Sequence, residues 1–155
     1  MIIISACLCG CNCKYNGKNN KNEQCVNLFK SGKAVLICPE QLGGMTTPRL
    51  PSEILKNEGD KLVINKNGEN VTDFFERGAK EALNIAKLVN SKVAILKDGS
   101  PSCGSEFVYD GNFSGNKIKG QGITAELFIK NGIKVFSEKN MPKESLENLV
   151  FDSDN

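Results

Sequence analysis

Four short, mostly apolar runs constrain this chain most: Met1–Ser5, Ala34–Ile37, Lys92–Leu96 and Ile133–Phe136. They lack the alternation of polar and apolar residues that marks a strand with one wet face. Strands of this kind are buried on both faces, as inside a parallel sheet covered by helices. Helix-forming stretches lie between them. In the longest, Phe74, Phe75, Ala79, Ala82, Leu83, Ala86 and Leu88 recur at helical spacing out to about Val89. Thr72 reads as its N-cap, and Asp73 and Glu76 suit the positive end of its dipole. Shorter helices are predicted over Asn22–Lys30, stopped by Gly32, and over Thr124–Lys130, closed by Gly132.

Strands alternating with helices imply an α/β fold: a single Rossmann-like domain with a mostly parallel sheet flanked by helices. A length of 155 residues suits one domain with one sizeable core. That domain is expected over residues 1–139, with an acidic tail over 140–155 that adds one helical turn and then frays. Three Gly-, Asn- and Pro-rich stretches read as loops: KYNGKNNKN, QLGGMTTPRLPSE and YDGNFSGNKIKGQG. A small hairpin is predicted about Gly59-Asp60, pairing Glu53–Leu55 with Leu62–Asn65.

The charges exclude some functions. Twenty basic and 18 acidic residues leave a net charge of +2, so nothing global favours nucleic acid. The apolar runs are too short to span a bilayer, and no basic start precedes a long apolar segment. No nucleic-acid or membrane partner is expected, and the expected location is cytoplasmic. There the odd number of cysteines, seven, argues against a disulfide scaffold and for metal binding or thiol chemistry. The chain has no histidine. That excludes Cys-His dyads, Ser-His-Asp triads and every metal site with an imidazole ligand. A general base must then be Asp, Glu, Lys, Cys or Tyr.

Three of the strands lead directly to a cysteine: Ile4 to Cys7, Ile37 to Cys38, Leu96 to Cys103. In an open parallel sheet the loops after the strand ends gather on one edge, where ligand sites form. These three thiols are therefore expected to meet, and without histidine they suit a thiophilic centre, either an iron–sulfur cluster or zinc. Glu40, two residues beyond Cys38, places a carboxylate near the same edge. Ser100, Ser102 and Ser105 surround Cys103 with hydroxyls that can tune sulfur. Lys97 adds a charge that favours thiolate. Lys14, Arg49 and Lys97 read either as surface charges or as groups for an anionic or carbonyl-bearing ligand. Cys25 sits beside Val26 and Phe29 on a predicted helix and reads as a core residue.

The segments SACLCGCNCKYNGKNNKN, VLICPEQLGGMTTPRLPSE, VTDFFERGA, AILKDGSPSCGS, YDGNFSG and GQGITAELFIKNGIKVFSE together resemble the bacterial thiouracil desulfurases, a family first known only as a domain of unknown function. The resemblance runs from about Ile3 to Glu138. It implies a [4Fe-4S] cluster with three cysteine ligands, mapped by motif onto Cys7, Cys38 and Cys103, and one iron open to substrate. The implied reaction is non-redox desulfuration of a thiolated pyrimidine such as 2-thiouracil, releasing uracil and hydrosulfide. In that setting Glu40 is the candidate for water activation and Ser100 for a substrate or proton contact. Ser102 and Lys97 are further candidates for holding the ring.

The resemblance is incomplete in the first loop, where the family commonly reads LLG-x-P-x-RYDG and this chain reads LCGCNCKYNG. Lys14 stands where Arg is common, and Asn16 where Asp is. Asp98-Gly99 precedes SPSCG where a small or basic pair is usual. Two other functions stay open on sequence. Cys7, Cys9, Cys11 and Cys13 alternate in a way that could hold zinc or copper in a non-catalytic module. An iron–sulfur enzyme could also act on another thiolated base or nucleotide. Cys13 itself reads as a free thiol beside the open iron or as a ligand that substrate displaces.

Overall fold

The computed structural model describes residues 1–56 and 60–142. The predicted helical turn in the acidic tail lies outside them. In chain order the elements are β1 (Ile2–Ser5), a 3₁₀ turn (Ala6–Cys9), α1 (Glu23–Lys30), β2 (Ala34–Ile37), α2 (Pro39–Leu42), β3 (Ser52–Lys56), β4 (Lys61–Asn65), α3 (Thr72–Leu88), β5 (Val93–Leu96), β6 (Phe107–Tyr109), β7 (Lys117–Lys119), α4 (Ile123–Lys130) and β8 (Lys134–Ser137).

The four apolar runs form one parallel sheet in the order β2-β1-β5-β8. Ile3 lies between Val35 on one side and Ala94 on the other, at the centre of the sheet. The absence of alternation is explained by burial on both faces: Ile2, Ile3 and Ile4 all have no exposed surface. Ile3, Ala94 and Leu96 pack with Ala82, Leu83 and Ala86 of α3 and Ala125 and Phe128 of α4. Ile2, Ile4, Val93 and Ile95 face the opposite way, toward Leu8, Cys25 of α1 and Met141. Each fully buried Ile, Leu or Phe among these contributes roughly 1.5–3 kcal/mol on leaving water. Cys25 is fully buried in this second layer, the core role the sequence suggests.

The hairpin of β3 and β4 forms as expected, with Ile54 opposite Val63. These two pack against Val71, Phe75 and Val108 in a third apolar cluster. Two local features differ from the sequence reading. Thr72 does not cap α3. Its hydroxyl accepts the Val63 amide at 2.9 Å and donates to Asn70 Oδ1 at 2.6 Å, and Asn70 Oδ1 accepts the Thr72 amide. Thr72 thereby ties the hairpin to the start of the helix. The stretch read as a loop after Cys103 also contains an antiparallel pair, β6 with β7, whose three-residue strands are too short to show a period.

Helix α2 lies directly on α3. Gly43, just after α2, and Gly78, within α3, face each other's backbones. A side chain on either would run into a carbonyl oxygen, that of Phe74 or of Pro39. This close approach holds the segment carrying Cys38 and Glu40 against the longest helix of the fold.

Candidate metal centre

Strands β1 and β5 are neighbours, but the chain leaves them on different sides of the sheet. Their C-terminal ends therefore open a crevice, the place where parallel sheets build ligand sites. Cys7 lies in the turn after β1, Cys38 follows β2 directly, and Cys103 follows β5. All three line one cavity of about 490 Å³, together with Cys13, Glu40, Arg49, Lys97 and Ser100. The structure thus brings together three strand-end thiols that are far apart in sequence.

Glu40 sits between two of these loops. Pro39 occupies the first position of α2 and sets its start, so Glu40 falls in the first turn with its carboxylate turned back toward Cys38. The Cys38 thiol donates to Glu40 Oε2 at 3.4 Å, and the Ser100 hydroxyl donates to Glu40 Oε1 at 3.4 Å. Ser100 Oγ in turn accepts the amides of Ser102 and Cys103, each at 3.1 Å. Its two acceptor positions are filled by these amides, which leaves its one proton for Glu40. The same bonds fold the chain tightly around Cys103, which is buried and hydrogen-bonded by Ser5.

The family follows from the whole chain. A model of the 2-thiouracil desulfurases matches residues 2–140. This chain belongs to that family. Protein YbbK of Bacillus subtilis strain 168 is 44% identical over 147 residues, which cover 91% of this chain and 97% of YbbK. A solved structure described as the [4Fe-4S]-dependent thiouracil desulfidase TudS superposes with a TM-score of 0.82 at 38% identity, covering 97% of this chain and 95% of that one. The desulfurase family places the chain among enzymes that cleave carbon–sulfur bonds.

Within this desulfurase the other expected residues fall in different places. Lys97 borders the cavity, but its ammonium pairs with Glu138 at 2.7 Å and donates to the Asp98 carbonyl at 2.8 Å. Ser102 does not reach the cavity. It is fully buried, and its hydroxyl bonds Thr124 Oγ1 at 2.9 Å, which anchors the Cys103 turn to the start of α4. Cys9 packs against the apolar layer of Ile2 and Leu28, and Cys11 is exposed; neither lines the cavity. The alternating thiols of the first loop therefore point to different surroundings and do not make one four-thiol site.

Sequence reasoning gave too little weight to Arg49. Its side chain is 9% exposed, and it donates to the Cys13 carbonyl at 2.9 Å while standing 4.0 Å from Glu40 Oε2. The sequence left it open between a surface charge and a group for an anionic or carbonyl-bearing ligand, and gave no sign of its contact with Glu40. Asn20 was missed as well: its amide donates to the Cys7 carbonyl at 2.9 Å, and its side chain bonds the Cys7 sulfur.

The donor set is thiolate-rich, with one carboxylate nearby, and the chain has no imidazole to offer; this chemistry suits iron and sulfur. Among the described residues, no three Cys, Asp or Glu side chains are gathered closely enough to hold a single metal ion. The thiols are not alike. A hydrogen bond from the Cys13 thiol holds the Cys7 thiol below its ordinary range, burial opposes it, and Asn20 assists it. Burial, followed by the charge of Glu40, pushes Cys103 well up. Burial also pushes Cys25 up to about 12, as befits a core thiol.

Proposed function

We propose that this desulfurase removes sulfur from thiolated pyrimidines such as 2-thiouracil, with a [4Fe-4S] cluster held by Cys7, Cys38 and Cys103. The observation that carries this reading is the meeting of these three thiols with Glu40 and Ser100 in one cavity. When bound, the cluster supplies a soft Lewis acid for the thiocarbonyl sulfur at the iron without a strand-end ligand. The reaction balances without electrons from outside. Water adds its oxygen to the thiocarbonyl carbon, the carbon–sulfur bond breaks, and uracil and hydrosulfide leave with one proton.

The protein's own groups manage the water and the proton. As a ligand Cys38 is a thiolate and has no proton to give, so Glu40 Oε2 becomes free to accept a hydrogen bond from water. The carboxylate then acts as the general base. Ser100, fixed by the Ser102 and Cys103 amides, donates to the other oxygen and holds the carboxylate in position. Arg49 stands 4.0 Å from Oε2 and adds positive charge on that side. Lys97 has one N–H left after Glu138 and the Asp98 carbonyl, which it can offer to a ring carbonyl. The reducing cytosol suits a chain of seven unpaired cysteines. Among the described residues no helix is long and apolar enough to cross a membrane.

The test is anaerobic reconstitution followed by hydrosulfide release from a panel of thiobases and thionucleotides. The wild type is expected to be brown and to turn over 2-thiouracil. Glu40→Gln is expected to keep its iron and lose about 10²–10⁴-fold in turnover, the usual contribution of a positioned base. A colourless protein that binds zinc instead, or a Glu40→Gln variant at wild-type rate, overturns the reading.

A further inference from the structure

A flat pyrimidine presents polar groups at its edge and two π-faces. Glu40 and Lys97 address the edge, and the faces need a wall. Four aromatic side chains line the cavity: Tyr15, Phe75, Tyr109 and Phe113. Three of them are engaged elsewhere. Phe75 is 2% exposed and packs into the third apolar cluster. The Lys117 ammonium stands over the Tyr109 ring at 5.5 Å, and the Lys14 ammonium over the Tyr15 ring at 5.9 Å. Phe113 is half-buried; among the described residues it joins none of the three apolar clusters and has no cation over its ring.

Phe113 is also held in strained backbone. Its φ is 53°, in the left-handed region, where a bulky aromatic is uncommon. The same turn between β6 and β7 places glycine at its other left-handed positions, Gly111 at φ 88° and Gly115 at φ 83°. Glu53 Oε1 accepts the amides of Gly111 and Phe113 at 3.0 and 3.3 Å, so one buried carboxylate grips the turn at both residues. Asp110 holds it from within: its carboxylate accepts the Asn112 amide and the Ser114 hydroxyl, each at 2.9 Å. A strained residue persists only where its surroundings over-determine it, and such residues gather at ligand sites. Here the strained position carries the aromatic ring that lines the cavity.

We propose that Phe113 is the platform on which the substrate ring stacks, and that it makes this site selective for flat, unsaturated thiocarbonyl rings over puckered, saturated ones. The proposal rests on the desulfuration reading above. The phenyl ring carries no polar atom, so it binds a face of the substrate and leaves the polar edge to Glu40 and Lys97. Offset stacking needs two flat partners, which a saturated ring does not supply.

The test compares 2-thiouracil with its 5,6-dihydro derivative, which keeps the thiocarbonyl edge and loses the flat ring. Both are given to the reconstituted wild type, Phe113→Ala, Phe113→Leu and Phe113→Tyr. The ratio of kcat/KM for 2-thiouracil over the dihydro compound is expected to fall about 10-fold in Phe113→Ala, within the range of base stacking on an aromatic ring. The fall is expected in KM rather than kcat. Phe113→Leu keeps the apolar bulk, so it is expected to melt with the wild type and still lose the preference; it carries the test if Phe113→Ala does not fold. Phe113→Tyr is expected to keep the wild-type ratio. A second readout needs no turnover: in saturation-transfer NMR the H5 and H6 signals of bound uracil are expected to weaken in Phe113→Leu and to persist in Phe113→Tyr. Equal losses for both compounds, or a wild-type ratio and uracil signal in Phe113→Leu, overturn the platform and leave desulfuration standing. A wild type that releases no hydrosulfide from either compound overturns the desulfuration reading and the platform with it.

Discussion

Gly78 lies in the middle of α3, a position where alanine is ordinarily favoured over glycine by about 0.5–1 kcal/mol. Here the sign is expected to reverse. A Cβ on Gly78 would run into the Pro39 carbonyl oxygen, with the Pro39 carbonyl carbon at 2.7 Å and the Gly43 nitrogen at 3.2 Å. All three are backbone atoms, so no side-chain rotation relieves the contact. Helix α2 must back away by more than an ångström to restore ordinary separation. Overpacking of this kind costs about 1–3 kcal/mol, and a clash with backbone belongs at the upper end. Set against the helix preference, Gly78→Ala is expected to lose about 2 kcal/mol net. At about 2–4 °C per kcal/mol for a domain of this size, that lowers Tm by about 4–8 °C. The same displacement moves Cys38 and Glu40. Their mutual bond and the Ser100–Glu40 bond are both 3.4 Å, already at the long end, so iron retention is expected to fall with stability. The assay is thermal unfolding of the metal-free protein beside iron and acid-labile sulfide per chain after reconstitution. Asn84→Ala, on the exposed face of the same helix, serves as the control and should not destabilise. If Gly78→Ala melts at or above the wild-type temperature with full iron, the account of α2 packing against α3 is refuted.

The double variant Cys9→Ser, Cys11→Ser is expected to keep its full iron content, because neither thiol lines the cavity; loss of iron would make the loop thiols ligands. Glu53 Oε1 accepts the amides of Gly111 and Phe113 at 3.0 and 3.3 Å. Glu53→Ala leaves both amides without that acceptor and is expected to cost about 1–3 kcal/mol in urea unfolding; an unchanged midpoint would show that water replaces the carboxylate. In the metal-free protein, alkylation mapped by mass across pH should separate the thiols. The hydrogen bond from Cys13 lowers Cys7, so its rate should level off below pH 9.0, whereas burial and the neighbouring Cys11 and Cys7 charges push Cys9 up to about 11, so its rate should still rise there. A Cys7 profile that levels off only above Cys9 would remove the thiol–thiol contact from the account.

Much of the site was legible because parallel sheets impose a rule on strand ends. Once Ile4, Ile37 and Leu96 are read as the ends of doubly buried strands, the cysteines after them must share an edge. The path of the loop between Gly10 and Asn22 follows no such rule. It folds back through backbone bonds from Asn20 to Cys7 and from Asn22 to Leu8, which no periodicity announces. Cys13 and Arg49 reach the cavity only because of that path, so sequence gave the first as an open question and the second as a charge of uncertain role. Ser100 and Ser102 illustrate the limit most closely. They are two residues apart in the same motif and equally suited to a substrate. The turn decides between them: Ser100 Oγ gathers the amides of residues 102 and 103, and a bend that tight sends the next hydroxyl the other way, into the interior and onto Thr124. One serine is left facing Glu40 because the other is needed to hold the turn.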